Sequence, residues 1–210
     1  MKYFHPYCKT KAEAEKIVLY FSKLNKINSV IIRPCLVWGP GDRVIFPRIV
    51  QLALRGDLPI IGNRKNKVSI SYIENLTDGI VLAAYNNNSI GNIYCINDGI
   101  NIYFSEFLER SLNMLGINWH NPKKIPYFIA YSLASILELF AKIRKSQDPP
   151  LITRYAVAAM GKNLTYNIDK AKIELNYKPK VDLDTGLFEL KEWVRDIGGI
   201  DYLSKLYKPN

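Results

Sequence analysis

The sequence predicts an α/β fold, a largely parallel sheet interleaved with helices and followed by a mainly helical lobe. Three observations carry this. Short β-branched apolar runs alternate with helical periodicities up to Gly116. Beyond Gly116 the pattern changes to an apolar helical stretch, a Pro149-Pro150 break and two further helical patterns. A length of 210 residues suits one compact domain, or one domain with a small extra lobe. The expected division is therefore 1–116 and 117–210.

In chain order, residues 6–25 read as a helix. Pro6 suits its first position, where a missing N–H costs nothing. Its apolar stripe is Tyr7, Ala14, Val18 and Phe21, at steps of three and four. Residues 28–33 (NSVIIR) read as a buried strand ended by Pro34, and WGPGD at 38–42 as a loop. A helix is expected over 44–55, with Pro47 in its first turn and Gly56 as its stop. Short strands at 59–62 and 67–72 flank a basic turn. A helix follows at 74–85, then a strand at 92–97 closed by Asp98-Gly99. The helix at 105–115 has Ser105 as a candidate N-cap. In the second part, helices are expected at 125–143, 169–175 and 183–196.

Composition narrows the function classes. The net charge is +10, but the basic residues are scattered, and the densest stretches are Arg64-Lys65-Asn66-Lys67 and 142–145. There is no zinc-finger spacing and no RNA-binding aromatic signature, so nucleic-acid binding is not expected. Cys8, Cys35 and Cys95 are odd in number and lack a CxxC, which fits a reducing compartment inside the cell. His5 and His120 are the sole imidazoles, so no metal site is expected. The start MKYFHPYCK lacks the apolar core of a secretion signal.

Tyr7 and Lys11 are the candidate site residues. At 100° per residue they lie about 40° apart, on the face that continues into the apolar stripe. Lys9, Lys16 and Lys23 fall on the opposite side. Two readings follow. Lys11 can snorkel, with its stem on apolar surface and its charge in water. Alternatively the two form a catalytic pair, because an ammonium close to a phenol favours the phenolate. Such a phenolate can take the proton of an alcohol while hydride leaves the same carbon.

The segment IIRPCLVWGPGD at 31–42 follows at short range. Y-x-x-x-K on a helix, then RPxxVWGPGD after a strand, resembles the extended short-chain dehydrogenase/reductases. VSISYIENLTDGIVLAA at 68–84 and GNIYCINDG at 91–99 resemble that family's following elements. Within it, PYCKTKAEAEK, the helix from Ile125, the YKP at 177–179 and the EWV at 192–194 are similar to the 3β-hydroxysteroid dehydrogenase/Δ5→4-isomerases. The resemblance covers nearly the whole chain. The abundance of Asn, Ile, Lys and Tyr matches AT-rich coding and a poxviral member.

The resemblance implies NAD-dependent oxidation of a 3β-hydroxy-Δ5-steroid in steroid biosynthesis. It implies Tyr7 as proton acceptor and Lys11 as the residue that holds the nicotinamide ribose. Pro34, Cys35, Leu36 and Val37 would line the nicotinamide pocket. It makes 1–116 the NAD(P)-binding α/β part and 117–210 the substrate lobe. Cys35 has no histidine in a suggestive relation and reads as packing. The family's glycine-rich turn, which holds the cofactor diphosphate at a helix N-terminus, is not found in these 210 residues. The expectation is a C-terminal portion of a longer enzyme, an incomplete Rossmann-type sheet with an exposed apolar edge at 29–33. Alone it would bind NAD weakly, turn over no steroid and dissolve poorly.

The stretch 125–143 is apolar on most sides, interrupted by Pro126 and Glu138 and flanked by Lys123, Lys124, Lys142, Arg144 and Lys145. It falls short of a clean spanning segment. It can pack in the helical lobe, line a steroid pocket, or lie in a membrane interface. The last supports an alternative function, a non-enzymatic chain that binds a membrane or protein partner through this helix. The expected location is the cytoplasm, with association to host membranes.

Overall fold

A computed structural model of the protein describes residues 6–119, 122–144, 150 and 152–206. His5, His120, Lys145 and Pro149 lie outside the described residues. In chain order the elements are α1 (Pro6–Lys23), β1 (Ile31–Pro34), β2 (Leu36–Trp38), α2 (Ile45–Leu54), β3 (Ile60–Ile61), β4 (Lys67–Tyr72), α3 (Ile73–Tyr85), β5 (Ile93–Ile96), β6 (Asn101–Tyr103), α4 (Phe104–Met114), β7 (Lys124–Ile125), α5 (Tyr127–Ile143), α6 (Arg154–Gly161), α7 (Asp169–Leu175), α8 (Leu183–Asp196) and α9 (Gly199–Leu206). The α/β class is as expected. The strands form three small sheets, β1-β5, β2-β4-β6 and β3-β7, and β1-β5 and β3-β7 are parallel.

The chain divides into two interleaved units. Unit 1 comprises 1–37, 69–100 and 165–182. In it β1 runs parallel to β5, in a register that sets Ile31 against Ile93 and Pro34 against Ile96. Among the described residues no strand lies on the outer edge of β1. The core gathers Leu76 and Ala83 of α3, Tyr94 and Ile96 of β5, and Ala171, Leu175 and Tyr177 at and after α7. Gly79 lets α3 approach β5, since a Cβ there would stand 2.6 Å from Ile96 Cγ2. Helix α7 ends at Asn176, whose φ of 52° and ψ of 33° turn the chain left-handed.

A polar hub locks unit 1. The Asp98 carboxylate accepts from the Tyr72 N–H at 2.8 and 3.0 Å and from Asn75 Nδ2 at 2.9 Å. Asn75 Oδ1 accepts from the Lys180 and Val181 N–H groups, and its Nδ2 also donates to the Val181 carbonyl. The amide of a buried Asn75 thereby satisfies backbone groups from a stretch more than a hundred residues away, as burial requires.

Unit 2 comprises 38–68, 101–164 and 183–210. Helix α2 starts at a carboxylate cap, with Asp42 accepting from the Val44, Ile45 and Phe46 N–H groups at 2.8–3.0 Å. It stops where Gly56, at φ 71°, reverses the chain. Trp38 meets Phe107 edge-on at 5.3 Å between ring centres. Arg110 of α4 pairs with Asp184 of α8. Ile61, Ala130, Ala134 and Val157 make a second core between β3, α5 and α6.

Several expectations are corrected. Helix α4 begins at Phe104, after Tyr103, and Ser105 does not cap it, because its hydroxyl donates to the Arg64 carbonyl. Ile125, expected as the start of a helix, instead pairs with Lys124 as β7 against β3, and Pro126 defers the helix to Tyr127. Strands β2 and β6 and helices α6 and α9 are additional. The largest change concerns α1. Its packed side carries Cys8, Ala12, Glu15, Val18, Leu19 and Ser22, so Val18 of the expected inward stripe is half-buried whereas Ala14 and Phe21 are exposed. Tyr7 itself is 53% exposed.

Candidate active site

The candidate site is built from α1 and the β1–β2 connection, both in unit 1. Tyr7 occupies the first turn of α1, and its carbonyl accepts from the Thr10 hydroxyl at 2.9 Å. Lys11 follows one turn on. Its Nζ stands 5.7 Å from the centre of the Tyr7 ring, so the two expected partners share one face, and that face is open to solvent.

Helix α1 is fixed to β1 by a two-point ion pair. Arg33 Nε donates to Glu15 Oε2 at 2.8 Å and its NH2 group to Oε1 at 2.5 Å. The bonds to Arg33 hold the Glu15 carboxyl below its ordinary range, against the opposing effect of partial burial. The arrangement explains which face of α1 packs, since Glu15 turns toward β1 and carries Ala12 and Leu19 with it.

Beyond Arg33 the chain passes through Pro34, exposed, and Cys35, Leu36 and Val37, half-buried. The Cys35 N–H donates to Ser71 Oγ at 3.1 Å, and Ser71 passes the bond to the Ile96 carbonyl at 2.9 Å. Asn97 Nδ2 donates to Cys35 Sγ at 3.6 Å and to the Tyr166 carbonyl at 3.1 Å. Burial pushes the Cys35 thiol up to about 11, although Asn97 pulls the other way. A thiol so placed is protonated near neutrality and is a poor nucleophile.

The sequence reading assigned no role to Glu15, Ser71, Asn97 or Tyr166. Only Glu15 with Arg33 left a trace in the sequence, a cation at the end of an otherwise apolar strand.

The described residues fit the two ends of a dinucleotide unequally. Lys11 is exposed and the chain at 35–37 is half-buried. The glycine-rich turn of this chain, Gly39-Pro40-Gly41, leads into α2, but that N-terminus is filled by the Asp42 carboxylate. A helix start closed by a carboxylate repels a diphosphate. Among the described residues no group of three or more His, Cys, Asp or Glu could hold a metal ion.

Residues 1–127 match the 3-beta hydroxysteroid dehydrogenase/isomerase family. The chain belongs to that family. It is 32% identical over 191 residues to a 2-alkyl-3-oxoalkanoate reductase of Stenotrophomonas maltophilia, covering 89% of this chain and 57% of that protein. It is 33% identical over 193 residues to the decarboxylating sterol-4-alpha-carboxylate 3-dehydrogenase of Mus musculus, covering 88% and 53%. The chain spans about half the length of these relatives. Its fold is shared with the dTDP-glucose 4,6-dehydratase DesIV of Streptomyces venezuelae, solved with NAD bound, at TM-score 0.66 and 22% identity over 91% of this chain and 51% of that one. A UDP-glucuronic acid 4-epimerase of Bacillus cereus, also with NAD, gives TM-score 0.64 and 22% identity over 96% and 53%. The fold is thus that of the extended short-chain dehydrogenases, and both of these solved structures hold NAD. The family membership agrees with the resemblance drawn from the Tyr7 and Arg33 segments.

Proposed function

We propose that this chain supplies the proton-transfer part of an NAD-dependent 3β-hydroxysteroid dehydrogenase/isomerase-like enzyme of steroid biosynthesis, acting on a 3β-hydroxy-Δ5-steroid. The observation that carries it is the Tyr7–Lys11 pair on one face of a helix clamped to the strand that leads to 34–37. In this reading 1–116 serves the cofactor and 117–210 the steroid. NAD bound there supplies a hydride acceptor for the steroid alcohol carbon. Tyr7 takes the alcohol proton, and Lys11 places positive charge beside the ring and binds the ribose hydroxyls. Pro34, Cys35, Leu36 and Val37 form one wall for the nicotinamide. The Asn-, Ile-, Lys- and Tyr-rich usage supports a poxviral source, and the cysteine pattern supports a cytoplasmic one.

These 210 residues offer no glycine-rich cradle, so the chain by itself binds NAD more weakly than micromolar and leaves steroid unchanged. Calorimetry checks the first statement. The catalytic assignment is tested by joining the chain behind the non-aligned part of the S. maltophilia reductase. That chimera is expected to oxidise 3β-hydroxysteroid with NAD, and Tyr7→Phe to lower kcat by about 100-fold or more. Activity that survives Tyr7→Phe would sink the assignment.

A second reading is favoured by one observation. Helix α5 exposes Phe128, Leu139, Phe140 and Ile143 to solvent. The chain then acts without catalysis, through a partner held by α5.

A further inference from the structure

We infer that the basic turn at 63–67 in unit 2 is a binding site for a small phosphate monoester, built around Arg64. The inference stands apart from both readings above. The turn joins β3 to β4, and the fold fixes it from several sides. The Lys65 N–H donates to Asn63 Oδ1 at 3.0 Å, and the Lys67 N–H to Asn163 Oδ1 at 2.8 Å. The buried Asn66 donates through Nδ2 to the Met160 carbonyl at 2.9 Å, and the Ser105 hydroxyl donates to the Arg64 carbonyl at 3.3 Å. A turn anchored in this way presents its side chains without further ordering, which favours binding.

Arg64 carries features that find no return inside the chain. Its backbone is bent into the left-handed region, at φ 66°, where a residue with a Cβ is unfavourable. Its Nε is closed off from water and has no acceptor. A buried cationic N–H without a partner is costly and rare in a folded protein, and a bound ion is one of its ordinary explanations. Arg64 as a whole is half-buried, so the guanidinium is not sealed in the core. Its central carbon lies 6.0 Å from the centre of the Trp119 ring, a contact that restrains the side chain without neutralising it.

No carboxylate neutralises the turn. Among the described residues, Arg64, Lys65 and Lys67 make no ion pair. Glu106, the acid of the adjoining first turn of α4, pairs with none of them. Lys65 and Lys67 are exposed while Asn66 and Val68 are buried, so the two lysines rise on one side of the chain. Lys162 adds a further cation on the segment beside β4, where Val68 is bridged to Leu164. Lys67 and Lys162 also rest on rings rather than on carboxylates, at 5.2 Å from Tyr103 and 5.3 Å from Tyr127.

The chemistry selects the ligand. An oxyanion on the Nε edge of Arg64 supplies the acceptor that Nε lacks and takes a second N–H from the same fork. The guanidinium alone balances the single charge of a carboxylate. A phosphate monoester carries about −1.5 to −2 at pH 7 and three acceptor oxygens, which leaves charge for Lys65 and Lys67.

The test is calorimetry of the chain with inorganic phosphate, with acetate as the singly charged control. Phosphate should bind with a Kd on the order of 1 mM, and acetate about tenfold more weakly or worse. Tryptophan fluorescence should change during the phosphate titration, and Trp119→Phe should remove that change. Arg64→Lys keeps the charge and loses the fork, and should weaken phosphate about tenfold with far-ultraviolet dichroism retained. Lys65→Gln with Lys67→Gln should weaken it about threefold for each cation removed, and tests the site with Arg64 in place. No saturation at about tenfold above that Kd overturns the inference. Phosphate affinity unchanged in a folded Arg64→Lys chain overturns it too. So does binding of oligouridylate with no response to phosphate, which marks a diffuse basic surface instead.

Discussion

Two regions of unit 1 are held in opposite ways. Helix α1 carries Tyr7 and Lys11 and is tied to β1 by one half-exposed ion pair, with its large apolar side chains Ile17, Tyr20 and Phe21 in solvent. At the hub Asn75 is buried and Asp98 half-buried, and each of the polar atoms named above has a partner. The difference teaches that the order of unit 1 resides in the hub, while the groups proposed for chemistry sit on its least-covered element. Stability and proposed activity should therefore respond to different substitutions.

The largest effect is expected at the hub. Asn75→Leu leaves two backbone N–H groups, a carbonyl and the Asp98 carboxylate short of partners. At about 1–3 kcal/mol for each orphaned group, the loss should reach about 4 kcal/mol or more. Urea denaturation measures it, and a loss below about 1 kcal/mol would erase the contrast between the two regions.

A much smaller effect is expected at α1. Glu15→Gln should cost less than about 1 kcal/mol, because the Arg33 pair is partly exposed. Its pH dependence sharpens the point. The folded Glu15 carboxyl titrates lower than the unfolded one. Its contribution is therefore present above the unfolded value and is lost as pH falls through the folded value. Stability measured across the acid range should show this extra loss in the parent and not in the variant.

The smallest effect is expected at Cys35. With its thiol raised to about 11, labelling by iodoacetamide should be slow at neutral pH and rise only toward that value. Rapid neutral labelling would show that the 34–37 wall is as open as Tyr7.

How much could be read beforehand divides along the same line. Helices α7 and α8 and strand β4 match their expected bounds, because breakers and strong periodicity define them locally. The match of 1–127 to a family was legible because Y-x-x-x-K and RPxxVWGPGD are contiguous strings. What was missed depends on distant partners. Ser105 looked like a cap, but the Arg64 carbonyl claims its hydroxyl. Strand β7 is two residues long and exists because Ile60 and Ile61 lie beside it. Hydrophobicity alone points the α1 stripe through Tyr7, Ala14, Val18 and Phe21, and the ion pair to Arg33 turns the packed face so that only Val18 of the four is half-buried. Periodicity also gave α5 as apolar without showing that its alanines would face inward.

The interleaving of the two units bears on how such a protein can be inherited. Unit 1 is assembled from three separated stretches, and its core joins Leu76, Ile96 and Tyr177 with Val30 and Ile32 of the first packed against them. A single genetic crossover at residue 100 would part Ile96 from Tyr177, and one at 68 would part Arg33 from Ile96. Neither unit can be exchanged between relatives as one block of coding sequence. Innovation in this architecture has to come by replacing side chains in place, on surfaces such as the exposed side of α5, while the shared cores pass on whole.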